Sequence, residues 1–176
     1  LLLVTVSALL GSLLYAANDP SCPTGHRLCY ETATNAGAAI NSANFEGGPA
    51  LSHDGLTLLF GAERTNSSGQ LDEDIYVATR ATTSEPFGPP ESLGPSINAL
   101  SFGDYSPELS LDGLTLYFSS SRPGGFGEAD LYATTRDSID DPWGTPQNLG
   151  PTVNTEYFEG QPSISANGKT LYWDSS

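Results

Sequence analysis

Residues 106–136 read SPELSLDGLTLYFSSSRPGGFGEADLYATTR; most of this stretch occurs once before in the chain, and its first half occurs once after. The turn SLDG at 110–113 is matched by SHDG at 52–55 and SANG at 165–168, each followed by an apolar run, LTLYF, LTLLF and KTLYW respectively. Upstream, Asn41, Asn98 and Asn154 each precede an aromatic residue by four positions (Phe45, Phe102, Phe158), and a proline follows (Pro49, Pro107, Pro162). Downstream, DIYVATR at 74–80 matches DLYATTR at 130–136, and EPFGPPESLGPSIN at 85–98 matches DPWGTPQNLGPTVN at 141–154. The period is about 56 residues, with one residue added before Pro107 and two fewer between Gly113 and Asp130. Self-similarity at a fixed period of this size means one supersecondary unit repeated in space.

Each unit reads as strands. Asp-Gly or Asn-Gly between short apolar runs signals a β-hairpin, and a two-residue type I′ turn requires positive φ at both central positions. Gly55, Gly113 and Gly168, each preceded by Asp54, Asp112 or Asn167, are therefore expected as structural turn residues. Along the second strand Leu58 and Phe60 point to one face and Leu59 to the other, where the later copies carry Tyr117 and Tyr172. A strand apolar on both faces must be covered on both sides. Short strands of this kind, repeated at this period, are what the blades of a β-propeller require, because each small sheet packs between its neighbours. The expected fold class is all-β, with about two and a half four-stranded antiparallel blades: 40–96, 97–152 and a partial 153–176.

The combined pattern of Asn, aromatic, Pro, S-x-[DN]-G, T-L-x-[FW], S-R-x-G-G, D-[IL]-Y and W-x-x-P-x-N-L-G resembles the WD40-like β-propeller repeat of the kind found in TolB and the tricorn protease. It covers residues 40–176. The first copy departs from it at Arg64-Thr65-Asn66, where the Pro-Gly-Gly of Pro123–Gly125 is missing. Closed propellers typically need about four to eight blades. With two full copies, the front of a third, no methionine and an opening LLLVTVSALL, the chain reads as a piece of a longer protein, its last sheet edge at Trp173.

Residues 1–17 form an apolar, Leu-rich run ending in Tyr-Ala-Ala. Its length fits the h-region of a secretory signal peptide; a short N-terminal membrane anchor and a buried helix are the alternatives. Residues 18–39 fall outside the repeat and read as a linker. They hold the only two cysteines, Cys22 and Cys29. Two cysteines close together behind an export signal fit a disulfide closing a small loop. With His26 between them they also offer three of the four ligands that a structural zinc site uses, and free thiols are the third reading.

The chain carries 21 carboxylates against six Lys and Arg, a formal charge of −15. That argues against nucleic acid, which needs a basic footprint, and against affinity for an anionic membrane surface. Four of the cations recur: Arg64 with Arg122, and Arg80 with Arg136. Asp74 and Asp130 recur as well. Recurrence implies structural work, here arginines tying acidic turn residues to neighbouring strands, because a residue needed once for chemistry has no reason to appear in every blade. Residues that differ between copies are the better functional candidates. The stretch 63–73 reads as a long loop, and Asp72, Glu73 and Asp74 at its end are calcium candidates, calcium taking six to eight oxygen ligands; a solvated acidic surface is the plainer reading. Asn66-Ser67-Ser68 is a glycosylation sequon in a eukaryotic setting. Phe45, Phe102, Phe158, Phe60, Phe118, Trp173, Tyr76 and Tyr132 recur and are expected in the core. Phe87 and Trp143 are expected to pin the outer strand. Tyr105, Phe126 and Tyr157 are irregular and could line a sugar- or peptide-binding surface.

Catalytic patterns are sparse. G-x-S-x-G and H-E-x-x-H do not occur, His53 stands alone in a turn, and nothing selects a carboxylate pair for glycoside hydrolysis. The S-x-D-G turn lacks the extra residue of a sialidase Asp-box. The expected function is therefore a non-catalytic exported β-propeller, periplasmic, outer-envelope-associated or extracellular. It would bind a protein or a cell-wall glycan, with no cofactor beyond the calcium just weighed. The resemblance implies envelope scaffolding. The alternative is the propeller portion of a larger secreted hydrolase, prolyl-peptidase-like or polysaccharide-degrading, with its catalytic residues elsewhere.

Overall fold

The computed structural model describes residues 35–65 and 71–176, and the apolar run 1–17, Cys22, His26, Cys29 and the sequon at 66–68 lie outside them. The described residues form ten strands, β1 (Glu46–Leu51), β2 (Thr57–Thr65), β3 (Leu71–Thr79), β4 (Glu91–Ser92), β5 (Asp104–Leu109), β6 (Thr115–Ser120), β7 (Asp130–Thr135), β8 (Gln147–Asn148), β9 (Glu159–Ile164) and β10 (Leu171–Ser175). They make two antiparallel sheets in sequence order, β1-β2-β3-β4 and β5-β6-β7-β8, and the hairpin β9-β10. The first strands stack from sheet to sheet, β1 on β5 and β5 on β9. Two complete blades of a β-propeller and the first hairpin of a third therefore follow one another, their first strands innermost.

Strand alternation places the core where the apolar pattern expects it. Leu59 and Ile75 face the second blade and meet Leu116, Phe118 and Tyr132. Leu58, Phe60, Ala62 and Ala78 face the other way, covered by Ile40 and Phe87. Leu58, Phe60, Leu116 and Phe118 are completely buried, each worth about 1.5–3 kcal/mol against exposure. In the third copy Leu171 is half-buried, while Tyr172 and Trp173 are exposed. The difference is physical: β10 has only β9 beside it among the described residues, so the Phe60 and Phe118 position has no third strand to close over it.

The hairpin turns differ from the type I′ expectation. Positive φ falls on Gly55, Gly113 and Gly168 alone, not on the Asp or Asn before them. The β5–β6 connection is a four-residue loop closed by Ser110 and Thr115, with the Gly113 amide donating to the Ser110 carbonyl at 2.8 Å. Asp112 Oδ1 sets this geometry by accepting from Ser110 Oγ (2.6 Å) and from the Leu114 amide (3.0 Å). Asp54 and Asn167 repeat the pattern. A side-chain acceptor that bonds the backbone two residues on favours this turn over I′.

The recurring proline marks a feature of the first strands. Each strand pairing shifts register there, between Gly47 and Ala50, between Tyr105 and Glu108, and opposite Tyr172 and Asp174. The residue before the proline is left-handed in every copy: Gly48 at φ 54°, Ser106 at 46° and Gln161 at 47°. Proline fits a β-bulge because its missing N–H has no ladder partner to lose. A side chain on Gly48 would lie 2.8 Å from the Ser106 Cα, so the first two blades approach through backbone here.

Candidate functional site

A buried carboxylate opens the first strand of each of the three described repeats: Glu46, Asp104 and Glu159, each at most 4% exposed. Each accepts a backbone N–H from the residue just after the repeated asparagine. Glu46 takes Ser42 at 3.0 Å, Asp104 takes Ala99 at 2.7 Å and Glu159 takes Thr155 at 2.8 Å. The extra residue of the second copy is absorbed in the turn 99–102, where Ser101 is left-handed, and the shorter aspartate then suffices to reach its amide. Arg122 Nη2 closes on Asp104 at 2.7 Å and also donates to the Ile97 carbonyl. Arg64 stands at the matching place, 3.5 Å from Glu46 and 3.0 Å from the Ile40 carbonyl. Burial raises the Asp104 carboxyl, against the bonds from Ser120, Arg122 and Ala99 that favour its charged form.

The arginines thus serve the structure, but not through the acids expected. Asp54 and Asp112 bond their own turns. Arg80 and Arg136 reach those turns through the carbonyls of Gly55 (2.8 Å) and Gly113 (3.0 Å). They lie over Phe87 and Trp143, at 4.5 and 4.2 Å from the ring centres. The aromatic residues before the outer strand are therefore held by cation–π contact. Asp130 is buried and accepts from Phe126 (2.7 Å) and Gly127 (3.1 Å), and from Asn148 Nδ2 at 2.7 Å. Asp74, its counterpart by sequence, is only half-buried.

The repeated asparagines join one blade to the next. Asn98 Oδ1 accepts from the Ile75 amide and its Nδ2 donates to the Ile75 carbonyl, both at 2.9 Å, completing the edge of β3 from outside. Asn154 does the same to Leu131, at 2.8 and 3.0 Å. Both amides are buried.

The stretch 63–73 is not the long loop its polarity suggests. β2 runs to Thr65 and β3 starts at Leu71, paired without interruption from Thr57↔Thr79 to Thr65↔Leu71. This two-stranded ribbon extends three residues past the level at which β1 begins, about 10 Å at the strand rise. Asp72, Glu73 and Asp74 are consecutive strand residues, so Glu73 points to the face opposite Asp72 and Asp74 and the three do not converge as ligands on one side. Among the described residues no group of three His, Cys, Asp or Glu is placed to hold a metal ion. Glu73 sits directly across from Glu63; burial, and then Glu63, push its carboxyl up to about 7. Burial, with Asp72 and Asp104 nearby, pushes Asp74 to about 6.

The irregular aromatics divide. Tyr105 is half-buried and packs on Phe158 of the next blade, ring centres 6.1 Å apart. Phe126 and Tyr157 are exposed. They are neighbours: the Glu128 amide donates to the Tyr157 carbonyl at 3.1 Å, and Ala129 and Phe158 form a parallel bridge. Several residues expected in the core are less buried than that, Tyr76 among them, which is half-buried. Phe102 and Phe158 are half-buried, and Phe45 is exposed because the described residues include no preceding blade for it to rest on. His53 lies exposed in its turn. The buried acids Glu46, Asp104 and Glu159 have no counterpart among the sequence candidates. Their signal is an acidic residue directly after, or two after, the repeated aromatic.

No family model matches the chain, and no curated protein matches it. Among solved structures it is similar to TolB from Acinetobacter baumannii, at 19% identity and a TM-score of 0.48 over 72% of this chain. It is also similar to a TolB candidate from Agrobacterium tumefaciens, at 19% identity and a TM-score of 0.48 over 77% of this chain. The matched parts span 26% and 39% of the length of those two proteins.

Proposed function

We propose that this chain is part of a non-catalytic, exported β-propeller that serves as a protein- or glycan-binding scaffold in the cell envelope or outside the cell. One observation carries the reading. The polar residues that recur, Glu46, Asp104 and Glu159 with Arg64 and Arg122, Arg80 and Arg136, Asn98 and Asn154, are engaged in bonds that build blades and join them. Exposed chemistry is left to residues that differ between copies, the β2–β3 ribbon and the pair Phe126 and Tyr157. Recognition by loops and rims on a rigid repeat scaffold is the ordinary use of such an architecture. Export rests on the apolar run 1–17 and accords with the charge of −15, which keeps an exposed protein dispersed.

The test is to express the full open reading frame with a C-terminal tag, fractionate the cells, and cross-link before capture. The reading expects the protein outside the cytoplasm, retaining a protein or glycan that survives washing. Recovery in the cytoplasm would refute export. Turnover of ester, peptide or polysaccharide substrates by the purified full-length protein would refute the non-catalytic role in favour of a larger hydrolase.

A further inference from the structure

We infer that Phe126 and Tyr157, with Glu128 and Glu156 beside them, form a docking surface for a protein segment bearing arginine or lysine side chains. The inference rests on the scaffold reading above and names its partner's chemistry.

Several other exposed apolar residues have plainer explanations. Among the described residues Tyr172 and Trp173 lie on a hairpin with no third strand beside it, Trp173 at a position the other blades bury, and no blade precedes Phe45. Leu111 and Ile139 lie at the opposite end, near the β5–β6 turn. Phe126 and Tyr157 differ. Tyr157 stands where the other copies have Asn44 and Ser101, and the stretch 63–73 of the first copy, which corresponds to the one holding Phe126, contains no aromatic residue, so the repeat has no architectural use for either ring. Yet both are about half exposed, at 50% and 56%.

The two residues come from adjacent blades and are fixed in place. Asp130, itself buried, accepts the Phe126 and Gly127 amides, Asn148 holds Asp130 from the far strand, and the Glu128 amide bonds the Tyr157 carbonyl. A platform held this firmly loses little freedom on binding.

Charge selects the partner. Glu128 and Glu156 are exposed, two residues after Phe126 and one before Tyr157 along the chain, and the two arginines described at this end, Arg64 and Arg122, turn inward onto Glu46 and Asp104. The cations nearby are thus already paired, in a chain of net charge −15. An exposed ring face attracts a guanidinium or ammonium group, and flanking carboxylates add an ion pair and faster encounter. A neutral glycan would gain from the rings but not from the charge, and an anionic bilayer would be repelled.

The test measures binding of the full chain to a short fluorescent peptide of alternating arginine and glycine, with a glutamate–glycine peptide and chitohexaose as comparison probes. Phe126→Ser with Tyr157→Ser removes the rings without changing charge. Glu128→Gln with Glu156→Gln is matched for charge by Asp137→Asn with Asp140→Asn at the far end. All substituted positions are exposed, and circular dichroism checks each fold. The surface is supported if the ring variant weakens the arginine peptide about tenfold, and if neutralising Glu128 and Glu156 weakens it more than neutralising Asp137 and Asp140. Equal binding by the ring variant, or equal effects of the two neutralised pairs, overturns the surface and shows diffuse attraction, leaving the scaffold reading intact. Ring-dependent binding of chitohexaose without the arginine peptide overturns the partner chemistry while supporting a glycan scaffold. Binding of no probe overturns the inference, and the capture experiment above still decides the scaffold reading independently.

Discussion

Arg122→Ala should be among the most damaging single changes in the second blade. The guanidinium lies 2.7 Å from a carboxylate that is 0% exposed, and it also bonds Ser120 Oγ at 2.8 Å and the Ile97 carbonyl. Its plane sits 5.0 Å from the ring centres of both Phe118 and Tyr132. Removing it leaves Asp104 buried and uncompensated, a situation that costs about 3–5 kcal/mol. Arg64→Ala is the internal control. Its partner distance is 3.5 Å and its side chain is 24% exposed, and Glu46, although as buried as Asp104, keeps the bonds from the Ser42 amide and hydroxyl, so losing Arg64 should cost less, about 1.5–3 kcal/mol, the scale of one charged hydrogen bond. Adding Asp104→Asn to Arg122→Ala removes the stranded charge and should recover more than about 1 kcal/mol, a coupling within the range of touching residues. Urea unfolding of the full chain, followed by tryptophan fluorescence, measures all four proteins. The reasoning fails if Arg122→Ala costs less than about 1 kcal/mol, if Arg64→Ala costs as much, or if the double variant is no better than Arg122→Ala.

Three further outcomes are expected. Asn98→Ala should cost about 1–3 kcal/mol, since it strands the Ile75 amide while the Ile75 carbonyl keeps the Leu93 amide, and hydrogen exchange at Ile75 should accelerate more than at Leu131; uniform acceleration would count against a local joint. Glu73 has a raised carboxyl, so its protonated form is favoured by folding. The stabilising contribution is complete below its ordinary value of 4.5 and fades as pH rises through about 7, so melting temperature should climb between pH 8 and pH 5. Glu73→Gln should flatten that slope, and an unchanged slope would remove Glu73 as its source. Gly113→Val should destabilise the second hairpin by about 1–3 kcal/mol, because a β-branched residue resists a φ of 69°; wild-type melting would contradict the left-handed turn.

The hairpins, the strand alternation and the stacked sheets are legible in the letters, because Leu58, Leu116 and their neighbours recur at fixed spacing and a buried face tolerates few substitutes. The set of buried acids is less so. Its members change identity between Glu and Asp, and the second copy shifts by one residue, so matching letters does not align them although their hydrogen bonds coincide. The ribbon was hidden for another reason. Glu63, Asp72, Glu73 and Asp74 are poor strand formers, and Glu opposite Glu opposes pairing; the raised carboxyl of Glu73 reduces that repulsion. Turn type was misread because it depends on where Asp112 Oδ1 sends its bonds, which composition does not state. Phe126 and Tyr157 were visible as departures from the pattern, and only their adjacency needed coordinates.

Each carboxylate clamp closes inside a single repeat, Glu46 with Arg64 and Asp104 with Arg122, eighteen residues apart in both cases. Each joint asks of the upstream unit a main-chain amide and carbonyl, with a small polar side chain beside them. Such units are interchangeable parts. A gene segment encoding one could be duplicated or deleted with little retuning of its neighbours, and ring size in this lineage would be free to drift while loops specialise one copy at a time.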